Sequence, residues 1–245
     1  MGLLWGPSPY FVMRAWVQLA AGSGSRFGGK HPKQFQRLSR KPLLLYAIET
    51  FLRLHPTSPV IVVLPLAYFR YGEKLLREAF PTASLHLAVG GMSRSASTEA
   101  ALHLLEQLEL LSSEHTIAFH DAARPFPSPA LVERTFAAAE SSGAVVCGLP
   151  VSFSVRIVEQ GGHSQALPRE KIWEIQTPQA FRGDILKRAW RQLAPTADPA
   201  FTDEGSWIEA AGFPISLVLG EASNLKITYP SDWEIARLWL KRKSF

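Results

Sequence analysis

The chain contains a single cysteine, Cys147, among 245 residues. One thiol allows no internal disulfide framework and no cysteine-built zinc site, so a reducing, cytoplasmic setting is the expectation. Long apolar runs are missing as well: no stretch reaches the roughly eighteen residues that a membrane-spanning helix needs. Residues 1–14, broken by Gly6, Pro7 and Pro9, lack the basic start and continuous apolar core of a signal peptide. The seven histidines form no close cluster with Asp or Glu, which speaks against a metal site built by protein groups alone. There is no internal repeat, no low-complexity linker and no basic stripe interleaved with aromatics. The net charge of +5, from 26 basic and 21 acidic residues, therefore points to a small anionic ligand rather than to nucleic acid.

What is present is enough apolar material, 47% of the chain, for one sizeable core. From Ala15 onward short apolar runs alternate with amphipathic stretches, the pattern of a parallel sheet covered by helices. Strands are expected at Ala15–Ala20, Val60–Pro65, Ser84–Ala88, His115–His120 and Ala144–Leu149, with helices at Pro42–Leu54, Ala67–Phe80, Ser95–Leu111 and Ser128–Ser141. After Pro150 the alternation stops. Residues 151–174 read as an extended arm with a Gly161-Gly162 turn and too little apolar surface to stand alone. Helical patterns return at Arg182–Leu193, Asp203–Ala211 and Ser231–Lys241, with a strand at Ile215–Leu219. The expected architecture is α/β: a Rossmann-like doubly wound sheet over residues 15–245, with a protruding arm. Residues 1–14 read as an N-terminal extension, Met13 being a candidate start. The tryptophans Trp173, Trp190, Trp207, Trp233 and Trp239 are expected to pack rather than to stack on bases.

Three clusters carry candidate chemistry, each at the carboxyl end of a strand, where open α/β sheets bind ligands. The first runs from Ala20-Ala21-Gly22 through Gly24, Arg26, Gly28 and Lys30 to Pro32-Lys33-Gln34. Its glycines let backbone N–H groups approach phosphate oxygens, and three cations within eight residues suit a triphosphate. Phe27 stands where a third dinucleotide-type glycine would be, and no Gly-Lys-Ser/Thr follows, so neither common phosphate loop applies. The second cluster, Gly90-Gly91-Met92-Ser93-Arg94-Ser95-Ala96-Ser97, opens a helix. It can contact a base or phosphates, or Ser93 or Ser95 can serve as an N-cap alone. In the third, His120-Asp121-Ala122-Ala123-Arg124-Pro125, Asp121 can face a ribose, a magnesium ion or a second substrate; a purely structural Asp–Arg pair is the alternative.

Together with Gln176-Thr177-Pro178-Gln179, Thr202-Asp203-Glu204 and Asn224-Leu225-Lys226-Ile227-Thr228, these clusters resemble, in order, the 2-C-methyl-D-erythritol 4-phosphate cytidylyltransferase family of non-mevalonate isoprenoid synthesis. The resemblance implies a nucleotidyltransferase that takes CTP and a polyol phosphate, with Mg²⁺ or another divalent cation mainly on the phosphates and Asp121 as its protein ligand. It implies that Arg26 and Lys33 stabilise the transition state, while Arg169 and Lys226 hold the attacking phosphate. Ala20, Ala21, Gly22, Gly24, Gly91, Arg94 and Ser97 would cradle the nucleotide, and Asp121, Arg124, Ser154, Thr177 and Thr202 would meet the second substrate. It further implies a homodimer in which the arm, with Arg169 and Ser154, completes the partner's site. The arm departs from the family pattern: Phe153 replaces an acid, Pro168 another, and Ser223 stands at a position often acidic. Two rival readings remain. One is ribitol 5-phosphate cytidylyltransferase, which shares the motifs but usually has Ala-Gly-Gly and Asp-Ser-Val-Arg where this chain has Ala20-Ala21-Gly22 and Asp121-Ala122-Ala123-Arg124. The other is a nucleotide-binding regulatory protein without turnover.

Overall fold

The computed structural model describes residues 12–22, 27, 31–159, 161–198 and 201–242. In chain order the elements are β1 (Met13–Leu19), β2 (Arg37–Leu38), β3 (Lys41–Pro42), α1 (Leu44–Leu54), β4 (Val60–Leu64), α2 (Phe69–Ala79), β5 (Leu85–Val89), α3 (Arg94–Gln107), β6 (His115–Asp121) and α4 (Pro129–Ser142). There follow β7 (Ala144–Pro150), β8 (Val155–Val158), β9 (Ser164–Leu167), β10 (Trp173–Arg182), α5 (Gly183–Gln192), α6 (Glu204–Ala210), β11 (Ser216–Leu219) and α7 (Pro230–Arg242). Seven strands form one sheet in the order β11-β7-β10-β6-β1-β4-β5, while β2-β3 and β8-β9 are separate two-stranded ribbons. None of the described helices is long and apolar enough to cross a membrane.

Strand alternation sorts side chains to the two faces with period two. Ala15, Val17 and Leu19 of β1 face a layer built from α3, α5 and α6, whose Leu102, Leu186 and Trp207 are buried against the sheet. Trp16 points the other way, into a layer made by α1, α2 and α4 with Phe51, Leu76 and Phe136. A third cluster lies beyond the sheet edge. There α7 brings Ala236, Trp233 and Trp239 against Leu38, Leu43, Phe126 and Ile227, and the Phe27 ring of the first loop packs on Trp233 with centroids 5.3 Å apart. Cys147 is buried in β7, its thiol pushed up to about 12 by that burial, which leaves it inert.

Two expectations need correction. The sheet is mixed rather than parallel: β10 runs antiparallel to both β6 and β7. The chain leaves β7 at its carboxyl edge, turns through the arm and re-enters at that same edge, so no crossover helix intervenes and the returning strand is reversed. The sequence hides β10 because Pro178 and the polar Gln176, Thr177 and Gln179 lie within it; the register shift between Gln176 and Ala180 accommodates the proline. Its start at Trp173 lies inside the stretch expected to be arm. The second correction is small: β1 begins at Met13, so Arg14 belongs to the fold. Its guanidinium ties the strand to α4 through Glu133 at 2.6 Å and Glu140 at 2.7 Å.

Candidate active site

The carboxyl ends of β1, β5 and β6 open onto one cleft of about 680 Å³, at the point where successive crossovers from β1 diverge. Its first wall is the segment 20–22. Gln34, buried behind it, donates its amide to the carbonyls of Ala20 at 2.7 Å and Gly22 at 3.0 Å. Those acceptor oxygens, which would repel a phosphate, are thereby occupied within the protein. Lys33 lines the cleft and donates to the Ile227 carbonyl, binding the loop after β1 to the segment that carries Lys226. Gly24 and Arg26 lie outside the described residues.

The second wall is the turn after β5. A β-carbon on Gly90 would lie 2.2 Å from that of Ala21, so only glycine lets the two walls approach this closely; one on Gly91 would lie 2.4 Å from that of Ala96, so glycine there lets the turn fold tightly onto the start of α3. Ser93 is the N-cap of α3: its hydroxyl accepts from the Ala96 amide at 3.0 Å. Ser97 lines the cleft, with its hydroxyl bonded back to the Ser93 carbonyl. Arg94 turns inward. Its guanidinium grips Glu204 through two hydrogen bonds of 2.8 and 2.9 Å and reaches Asp121 Oδ1 at 3.2 Å.

Asp121, at the tip of β6, is the only carboxylate among the described residues lining the cleft. Lys226 takes its other oxygen at 2.6 Å. Burial alone would raise its pKa, but the charges of Arg94 and Lys226 outweigh this and hold it well below the usual carboxylate range. Asp121 is thus ionised at any working pH and unsuited to act as a general base. Arg94 shows the mirror effect: burial would lower its pKa, while Glu204 and Asp121 raise it.

Behind Asp121 a fixed chain of hydrogen bonds runs from atom to atom. His120 Nε2 faces the Arg124 carbonyl at 2.8 Å, an acceptor only, so this nitrogen carries the proton. Nδ1 therefore accepts from the Thr177 hydroxyl at 3.2 Å, and the Thr177 oxygen accepts the Asp121 backbone N–H at 3.0 Å. Burial lowers the His120 pKa to about 4, keeping the ring neutral. Trp16 packs on the same ring at 4.9 Å.

Of the residues expected at the second substrate, Asp121 and Lys226 meet in the cleft and the others do not. Thr177 is buried, its hydroxyl proton given to His120. Arg124 is buried too, donating to the carbonyls of Asn224 at 2.8 Å and Ile175 at 3.3 Å; burial is the main cause of its lowered pKa. Both residues brace the floor of the site. Thr202 is exposed on the approach to α6 and does not line the cleft. On the arm, Ser154 and Arg169 are exposed, and neither lines the cleft; Arg169 donates to the Ser152 carbonyl at 3.3 Å. The arm itself is the β8-β9 ribbon, with Phe153 80% and Val158 69% exposed.

Four contributors carry no signal of their own in the sequence. Gln34 follows the loop lysine, and its function is visible only from what it touches. Gln176 and Gln179 brace two loops: Gln176 bonds the Glu221 backbone, and Gln179 bonds Asp203 at 2.8 Å and the Gly205 amide at 2.9 Å. Glu204, wholly buried, holds Arg94. As an acid in the first turn of a helix it carries an ordinary explanation, favourable interaction with the dipole, which conceals its partner.

A glycine-lined cleft at the carboxyl edge of an α/β sheet, with converging cations and one ionised carboxylate, defines a nucleotide-binding transferase site. The family model for 2-C-methyl-D-erythritol 4-phosphate cytidylyltransferase matches residues 15–242, and the chain belongs to that family. The enzyme of that name from Acidobacterium capsulatum is 35% identical over 95% of this chain and 99% of its own length. That from Chromobacterium violaceum is 39% identical over 89% and 93%. The crystal structure of the Thermus thermophilus enzyme superposes with a TM-score of 0.71 at 30% identity, covering 94% of this chain and all of that one.

Proposed function

We propose that this cleft transfers a cytidylyl group from CTP to 2-C-methyl-D-erythritol 4-phosphate, giving 4-diphosphocytidyl-2-C-methyl-D-erythritol and pyrophosphate. The observation that carries the reading is a cleft rich in cations whose one carboxylate is fully paired and whose nearby histidine is buried and neutral. Among the described residues the cleft offers no free general base, and this reaction needs none. A phosphate monoester has its second pKa near about 6 and is already mostly a dianion at neutral pH. Its oxygen attacks the α-phosphorus in line, the bond to the bridging oxygen breaks, and pyrophosphate leaves with the electron pair.

The residues then act by alignment and charge neutralisation. Ala20, Ala21, Gly22, Gly24, Gly91 and Ser97 form the nucleotide cradle, with Gln34 keeping carbonyl oxygens away from the phosphates. Lys33 and Arg26 offset charge that grows on the transferring group. Lys226, held beside Asp121, meets the attacking phosphate. Arg169 and Ser154, remote from the cleft of their own chain, serve the site of a second copy, so the working unit is a homodimer. The exposed apolar side chains of the arm suit burial against that copy.

Asp121 fits Mg²⁺: it is an ionised oxygen donor at the cleft, and among the described residues no cluster of three His, Cys, Asp or Glu competes as a complete site. One carboxylate with the remaining positions filled by phosphates and water is the usual magnesium arrangement, and the ion would supply charge neutralisation on the triphosphate. Pyrophosphate release with CTP and Mg²⁺, compared between methylerythritol 4-phosphate and ribitol 5-phosphate, tests the reading. Release with the first acceptor is the expected result. Release with ribitol phosphate alone, or CTP binding without release, would overturn it.

A further inference from the structure

Glu204 is the one carboxylate of the site that cannot touch a substrate: its side chain has no exposure at all. Three donors converge on it nonetheless. Arg94 supplies Nη1 to Oε1 at 2.9 Å and Nη2 to Oε2 at 2.8 Å, a fork-to-fork pair, and the Thr98 hydroxyl gives its proton to Oε1 at 2.6 Å. Arg94 and Thr98 stand one helical turn apart at the start of α3, so Glu204 fixes the end of the helix that follows the second wall of the cleft. The other edge of the same guanidinium rests on Asp121 Oδ1, leaving Oδ2 to Lys226. With four of its five N–H donors committed to Glu204 and Asp121, Arg94 is a poor candidate for a two-pronged hold on phosphate.

We propose that Glu204 is a positioning residue which, by holding Arg94 from behind, leaves Asp121 one oxygen for Lys226 and so sets where that lysine stands. The proposal rests on the transferase reading given above. Two carboxylates and two cations form a neutral group. Removing the charge on Glu204 gives the group a net positive charge and leaves Arg94 only one anionic partner. Arg94 then closes fork-to-fork on both oxygens of Asp121, the preferred geometry of a guanidinium and a carboxylate, and Lys226 is displaced. A more positive cleft holds a triphosphate at least as well, while the reacting groups lose their alignment.

The consequence is a split between kcat and KM that a loss of folding stability does not produce. Glu204→Gln should lower kcat for pyrophosphate release by about tenfold or more while the KM for CTP stays level or falls. Because a buried arginine short of its counter-charge can destabilise the fold, the paired variant Glu204→Met with Arg94→Met removes both charges and should fold. It too should lose about tenfold in kcat, since nothing then holds Asp121 from the α3 side. CTP affinity, measured by calorimetry with no acceptor present, should be unchanged or tighter in Glu204→Gln. The proposal is overturned if kcat of Glu204→Gln or of the pair stays within about twofold of wild type, or if CTP affinity of Glu204→Gln falls by more than about threefold. The calorimetric arm needs no turnover. Wild-type protein that binds CTP yet releases no pyrophosphate would count against the proposed reaction, and the affinity of Glu204→Gln would still decide the role of Glu204.

Discussion

His120 offers a prediction whose size follows from the structure. The ring is fully buried, packed on Trp16, and protonated only on Nε2; a second proton would have to sit on Nδ1, where the Thr177 hydroxyl now donates. Its pKa accordingly falls from 6.5 to about 4, with burial the largest cause. Between those values the unfolded chain takes up a proton that the folded one refuses, so stability is intact above pH 6.5 and declines as the pH falls toward 4. A shift of about two and a half units corresponds to about 3 kcal/mol, with no discount for solvent because the group has no exposure. Urea unfolding of wild type and His120→Asn at intervals from about pH 7 to about pH 4 reads this directly. The variant should be less stable at neutral pH by about 2–4 kcal/mol, having lost the bond to the Arg124 carbonyl and the acceptor for Thr177. It should then lose about 3 kcal/mol less than wild type on acidification. His55, His86 and His115, also lowered chiefly by burial, titrate alike in both proteins and cancel in the difference. Asp121 is lowered as well, the charges of Arg94 and Lys226 outweighing its burial; its contribution is present above the unfolded value of 3.8 and is lost as the pH falls below it, outside the window. Parallel pH slopes for the two proteins would refute the assigned protonation state and the chain of hydrogen bonds built on it.

Other predictions concern the cleft. Lys33→Ala should cut the turnover number by roughly a hundredfold without unfolding the protein, as loss of a transition-state donor does, and Arg26→Ala should match it; steady-state pyrophosphate release with circular dichroism as the folding control checks both. Gly90→Ala drives a methyl group into the Ala21 β-carbon and parts the two walls, costing about 1–3 kcal/mol and raising the KM for CTP; thermal melting and kinetics would show both changes together. Arg169→Ala subunits mixed with Lys33→Ala subunits should recover part of the wild-type rate after exchange, since a mixed dimer regains one intact site; no recovery would mean that each site is built from one chain.

Period and punctuation made most of the fold legible in the sequence. β4 is Val-Ile-Val-Val-Leu and reads as a buried strand from composition alone, and Ser128 with Pro129 marks the start of α4 by residue type, a capping hydroxyl followed by a proline. β10 escaped because its stabilisation comes from neighbours on both sides rather than from its own residues, which include a proline and five polar or charged side chains. The site divides in the same way. Glycines and cations of the loops announce a phosphate cradle because their chemistry is local. Pairing is not local: Arg94 meets Glu204 across 110 residues and Lys226 meets Asp121 across 105. A sequence shows that Arg94, Arg124 and Lys226 carry charge, but only the fold shows how each charge is committed. Arg124 is committed to backbone carbonyls, Arg94 mainly to a buried acid, and Lys226 to the carboxylate at the cleft. Lys226, with 40% of its side chain exposed against 27% for Arg94 and a buried Arg124, is the most open of the three to an incoming phosphate. That openness suits the acceptor role which the family resemblance implies for Lys226.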